Sequence, residues 1–126
     1  MMETTPLSTQ EDPSDTPAGR QAMAVYFNHD RQLFLRYHGL SCAQFARDLP
    51  GLREAMAAHN WPEVARWAHG LRPPLALIGQ DGLSRQAGQL ELAAEAADPA
   101  AVAPVWLALE PALDGLARQA PATPGG

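Results

Sequence analysis

The stretch NWPEVARWAHGLRPPLALIG, residues 60–79, decides the fold. Asn60 is a good helix cap, Pro62 fits the first turn where its missing N–H costs nothing, and Glu63 stands where a capping box needs an acid. Downstream, Val64, Trp67, Ala68, Leu71, Leu75 and Ile78 recur at the spacing of one buried helix face. With Val64 as origin, that face is centred near zero, while His69 falls about 140° round the wheel, Arg72 about 80°, Ala65 about 100°, Ala76 about 120° and Pro73 about 180°. An imidazole therefore projects outward from an otherwise ordinary amphipathic helix, with an arginine beside it one turn later.

Working outward, Gly79-Gln80-Asp81-Gly82 reads as a turn with Asp81 as a cap. A following helix buries Leu83, Ala87, Leu90 and Ala94 and stops before Asp98-Pro99. The next carries Val102, Val105, Trp106, Leu109, Leu113 and Leu116 inward, with Pro104 and Pro111 on its outer side. Upstream, a helical stretch from about Met23 to His59 is expected to bend or break near Gly39 and again at Leu49-Pro50-Gly51. In it Leu33, Tyr37 and Leu40 share one stripe, and Phe34, Phe45 and Leu52 an adjacent one. No alternating strand pattern and no internal repeat is visible. The reading is all-α: an up-and-down four-helix bundle over residues 23–120, with room for a short extra N-terminal helix. Residues 1–22, rich in Pro, Ser, Thr and acids, read as a disordered tail, and residues 121–126 as a flexible end.

Composition narrows the function. The chain has 126 residues and a mass of 13.5 kDa, with room for one modest core, which argues against a multidomain enzyme. Its net charge is -5, and all nine basic residues are arginines. Four acids, Glu3, Glu11, Asp12 and Asp15, precede Arg20, so the acidity belongs mainly to the tail. Such a balance argues against a nucleic-acid partner. A lone cysteine, Cys42, fits a reducing cytoplasm, and no signal peptide or membrane span is read, the longest apolar runs, such as Leu75 to Ile78, being short. The expected protein is a soluble, cytoplasmic monomer without metal or other cofactor.

An exposed imidazole on a helix flank lacks the pocket and oxyanion hole of a nucleophilic triad, and the other histidines, His29, His38 and His59, do not complete a metal-ligand spacing with it. It suits attack by a ring nitrogen on a phosphoryl group presented by another protein, with a guanidinium to bridge the phosphoryl oxygens. Small flanking residues would let a partner close over the ring.

The segment Trp67-Ala68-His69-Gly70-Leu71-Arg72, with Ile78-Gly79, Leu83 and Leu90-Glu91 after it, resembles the core of histidine-containing phosphotransfer (HPt) domains, over roughly residues 28–118. The resemblance implies that His69 accepts a phosphoryl group, that Arg72 takes the place of the usual Lys in stabilising it, and that Ala65, Arg66, Pro73 and Ala76 line the docking face. It implies, as partners, response-regulator receiver domains and a hybrid sensor histidine kinase. The receivers bring the Mg²⁺ and most catalytic groups, so the domain is a relay intermediate and not an enzyme. The sequence departs from the pattern at Pro73, where the family has Gly, and Pro74 follows it. Prolines there remove donors to the carbonyls of His69 and Gly70 and predict a kink just after the histidine. Two further readings stay open: a module that binds a receiver without exchanging phosphate, and a generic helical adaptor in which His69 is incidental.

Overall fold

Side-chain caps start four of the five helices in the structure, a computed structural model that describes residues 12–121. Thr16 accepts from the Gly19 N–H at the start of α1 (Pro17–Tyr26), and Asp30 from that of Leu33 at the start of α2 (Arg31–Ala57). Asn60 opens α3 (Trp61–Leu77), accepting from the Glu63 N–H, and Asp98 opens α5 (Pro99–Ala117), accepting from Ala100 and Ala101. Such caps satisfy donors that the first helical turn leaves unpaired. Between the last two lies α4 (Asp81–Glu95), whose flanking Gln80 makes no side-chain cap. Asp81 is thus the first residue of α4 and not its cap. The capping box at α3 is half formed, because the Glu63 carboxylate turns to Arg66.

The described residues are all helical in their regular structure, with five α-helices, a single 3-10 turn over Pro13–Asp15, and no strand. Helix α3 packs on α4, α4 on α5, α5 on α2 and α2 on α3, giving a helical bundle. The expected faces of α3, α4 and α5 are those buried: Val64, Ala68, Leu71, Leu75 and Ile78; Ala87, Leu90 and Ala94; Val102, Leu109, Leu113 and Leu116. Trp67, Leu83, Val105 and Trp106 are half-buried against them, and Pro104 and Pro111 face outward.

The N-terminal half differs from the sequence reading. The stretch expected from Met23 to His59 is two helices, divided at Phe27–Asp30, where Asn28 and His29 adopt left-handed backbone (φ 50° and 62°). Neither Gly39 nor Pro50 breaks α2. Gly51 serves packing: a Cβ there would stand 2.7 Å from the Trp67 ring, so the glycine lets α2 approach α3. Of the two expected stripes, Phe34, Phe45 and Leu52 are buried and Tyr37 half-buried, whereas Leu33 and Leu40 are exposed.

The tail boundary also moves. Residues 13–22 form the 3-10 turn and the first half of α1, and the rest of the expected tail, residues 1–11, and of the expected flexible end, residues 122–126, lies outside the described residues. Composition hid the local chemistry here. Asp12 accepts from both N–H and O–H of Ser14, and Arg31 reaches back from α2 to donate to Ser14 Oγ (2.9 Å) and pair with Asp12. Ala22 and Phe27 enter the core. Gly79, at φ +87°, receives α1: a Cβ there would lie 2.6 Å from the Ala18 carbonyl oxygen.

Helix α3 runs unbroken through Pro73 and Pro74, so the prolines do not end it after His69. The Pro74 carbonyl still accepts from Ile78 N–H at 3.2 Å. Helix α5 is long and apolar enough to cross a membrane by length and composition, with a mean hydropathy of 1.3, a property the short apolar runs did not reveal. In the fold it is pinned to α2 by Arg53, which pairs with Glu110 and Asp114.

Candidate functional site

Helix α3 places His69 on the surface, with 70% of its side chain exposed. Across the groove, α4 presents Glu91, whose side chain is only 15% exposed. His69 Nδ1 lies 3.0 Å from Glu91 Oε2, and Arg72 donates from one terminal nitrogen to Glu91 Oε1 at 3.2 Å. One carboxylate thus holds both side chains that the sequence singled out. A carboxylate can only accept, so Nδ1 carries the proton in this bond. In the neutral ring the lone pair is then on Nε2, on the side away from Glu91.

The carboxylate serves side chains of α3 from α4. It sits between α3 and α4, the most closely packed helix pair in the fold, and its two oxygens answer two cation-capable donors from the neighbouring helix. Ser84, two turns earlier on α4, donates from Oγ to the Arg72 carbonyl at 2.9 Å. Beside His69, Gly70 faces open space: an added Cβ meets nothing within 4 Å.

The other residues expected at the docking face divide. Pro73 is exposed, as is Arg66, which pairs with Glu63 (2.6 Å) and lies over the Trp67 indole, 5.1 Å from the ring centroid. Ala65, expected on the open flank, is buried at 9% exposure, because the packed face of α3 is broader than its apolar stripe. Ala76 is half-buried and lines a shallow cleft with Ala18, Ala22 and Tyr26 of α1. It therefore belongs to the seam between α1 and α3.

The remaining histidines have other surroundings. His59 stacks on Trp61 with ring centroids 5.2 Å apart. His38 is buried, with Nδ1 3.7 Å from Cys42 Sγ, and burial lowers its pKa, partly offset by the charge of Asp12. Burial likewise pushes the Cys42 thiol up to about 11, which leaves it a protonated core side chain. Among the described residues no group of three His, Cys, Asp or Glu side chains is placed to hold a metal ion.

Sequence reading found His69 and Arg72 from the wheel but placed Glu91 only within a family pattern, and it missed Ser84 and Gly88. The signal was present: residues 84, 88 and 91 follow the spacing of one helix face, beside the apolar face of Leu83, Ala87, Leu90 and Ala94. Comparisons with protein-family models, with curated proteins and with solved structures found no match to the chain.

Proposed function

We propose that this protein is a phosphorelay intermediate of two-component signalling, in which His69 accepts a phosphoryl group from the aspartyl phosphate of one receiver domain and passes it to another. The observation that carries the proposal is the pairing of an exposed His69 ring with Glu91 through Nδ1, which leaves Nε2 available as a nucleophile. The reading includes the finer architecture: α2 to α5 form an up-and-down four-helix bundle, to which α1 is added. It also places the chain in the cytoplasm as a monomer, with receivers and a hybrid sensor kinase as partners and with no nucleic acid or membrane among them.

In this reading the chemistry balances without an added proton carrier. The Nε2 lone pair attacks the phosphorus of the acyl phosphate, the N–P bond forms, and the P–O bond to the receiver aspartate breaks, returning a carboxylate. The ring keeps its Nδ1 proton and gains positive charge, which the Glu91 carboxylate offsets at 3.0 Å. Arg72 shares the Glu91 carboxylate with the ring and can exchange its Glu91 oxygen for phosphoryl oxygens. Reversal of these steps hands the group to the next receiver, whose own site supplies Mg²⁺.

One observation favours the second reading, a module that binds receivers without exchanging phosphate. In the free protein one N–H of the Arg72 guanidinium is already engaged by Glu91. Incubation with a radiolabelled, phosphorylated receiver separates the two. Relay predicts label on the protein that is stable to base, labile to acid, and lost in His69→Gln. Stable complex formation with no label on the wild-type protein is the result that supports the second reading.

A further inference from the structure

The Arg72 side chain has a track laid for it on α4. Its carbonyl accepts from Ser84 Oγ at 2.9 Å, and its guanidinium ends on Glu91 at 3.2 Å. Between these two points lies Gly88: a Cβ built there would be 3.5 Å from Arg72 Nε, 3.6 Å from Cζ and 3.8 Å from Cδ. The long side chain therefore lies flat over a glycine, at ordinary van der Waals distance even from an alanine. Anything larger than alanine at position 88 would occupy the space that the guanidinium fills.

This track answers the problem that Pro73 and Pro74 create. They deprive α3 of two donors in the turn where Arg72 leaves the backbone, and proline disfavours helical angles in the residue before it. Arg72 is that residue, and the hydroxyl of Ser84 fastens its carbonyl from outside the helix. Two contacts from α4 thus fix the direction of a side chain whose own helix is weakened.

We infer that Ser84 and Gly88 are positioning residues for the phosphoryl-binding cation, holding Arg72 beside His69 where the α3 prolines alone would let it wander. The inference rests on the phosphotransfer reading for its consequence, and on the geometry of Arg72 for its cause. These can fail separately, and the test reads them separately.

Phosphoramidate, a small phosphoryl donor, reports the site without a receiver. For the wild-type protein it is expected to label His69, and Arg72→Ala to slow labelling about tenfold, the worth of a charged hydrogen bond. Gly88→Leu is expected to slow it by a similar factor, and Ser84→Ala about threefold. Ser84→Thr, which keeps the hydroxyl, restores the wild-type rate. In an Arg72→Ala background neither Gly88→Leu nor Ser84→Ala has a further effect, which a merely structural role would not produce. In the unphosphorylated protein the Arg72 Nη–H resonance, whose hydrogen bond ends on Glu91, should be slow to exchange and should speed up in Gly88→Leu. The inference is overturned if Gly88→Leu leaves both that exchange and the labelling rate unchanged, or if it slows labelling equally without Arg72. Failure of wild-type labelling with the resonance behaving as stated would count against the phosphotransfer reading alone and leave the positioning of Arg72 supported.

Discussion

Two arginine–carboxylate clusters join helices of this bundle, and they end differently. On the α2–α5 side Arg53 pairs with both Glu110 and Asp114, and Arg118 adds a second guanidinium to Asp114 at 2.7 Å. Each of those carboxyl groups is engaged by a guanidinium, a group that neither attacks nor accepts anything. On the α3–α4 side Glu91 also engages two partners, but one is an imidazole, and a neutral imidazole that donates from one nitrogen has a free lone pair on the other. The same electrostatic device is a clasp in one place and, in the proposed relay, the mount of a nucleophile in the other. The difference that matters is an imidazole where the other cluster has a second guanidinium.

The comparison is sharpened most strongly at Glu91. Replacing it with Ala removes a charged hydrogen bond to the His69 ring, typically worth about 1.5–3 kcal/mol, and under the proposed function is expected to slow phosphoryl transfer about ten- to hundredfold. Thermal melting should move little, since His69 and Arg72 are both exposed enough to be solvated in the variant. A Glu91→Ala protein that melts much earlier but transfers at the wild-type rate would break the distinction, making both clusters clasps.

Gly79 tests a different link, the seat of α1. Gly79→Ala forces a left-handed backbone on a residue with Cβ and drives that Cβ against the Ala18 carbonyl oxygen, so a loss of about 1–3 kcal/mol in denaturant unfolding is expected. Phosphoryl transfer per folded molecule should be retained, because His69, Glu91 and Arg72 lie on α3 and α4.

Acid separates the core from the α2–α5 cluster. His38 is buried and its folded pKa lies below the unfolded value, so the unfolded state binds the proton first. Its contribution is present in full above the ordinary histidine value of about 6.5 and is lost as pH falls from there through the lower folded pKa. Melting temperature should therefore fall as pH drops below about 6.5 in the wild-type protein, and less in His38→Gln. The α2–α5 cluster follows at lower pH: hydrogen bonds from Arg118 and Arg53 hold the Asp114 carboxyl below its usual range, so its contribution fades only as pH falls through that lowered value. An equal slope in wild type and His38→Gln would contradict the assignment.

The smallest effect belongs to Arg53→Ala. These are exposed ion pairs, so a slight loss of stability is expected that shrinks further as salt is added, with no change in transfer.

How much of this was legible in the sequence depends on the length of the contact involved. The core faces of α3, α4 and α5 follow from helical periodicity, and their residues are buried or half-buried. The outward position of His69 and of the α5 prolines follows from the same wheel. What periodicity cannot supply is a partner from elsewhere in the chain. Arg31 reaching Ser14, Gly79 receiving Ala18, and Gly51 making room for Trp67 are tertiary contacts, and they turned part of an expected tail into structure and an expected break into a packing surface. The Asn28–His29 turn was local but unread, because Asn and Asp around a short polar break are weaker punctuation than the Gly and Pro that lie harmlessly inside α2. Ala65 was misplaced because a wheel angle says nothing of how wide the packed face of α3 is. Glu91 follows the same rule: it lies 22 residues from His69, and only the packing of α4 on α3 joins them.

The central claim is that Glu91 fixes the Nδ1 proton of His69 so that Nε2 takes the phosphoryl group. Long-range ¹H–¹⁵N spectra of the phosphorylated protein, with ³¹P coupling to locate the bond, address it directly. The account predicts one phosphorylated imidazole, that of His69, with phosphorus on Nε2 and the proton on Nδ1. Phosphorus on Nδ1, or on a residue other than His69, would contradict it.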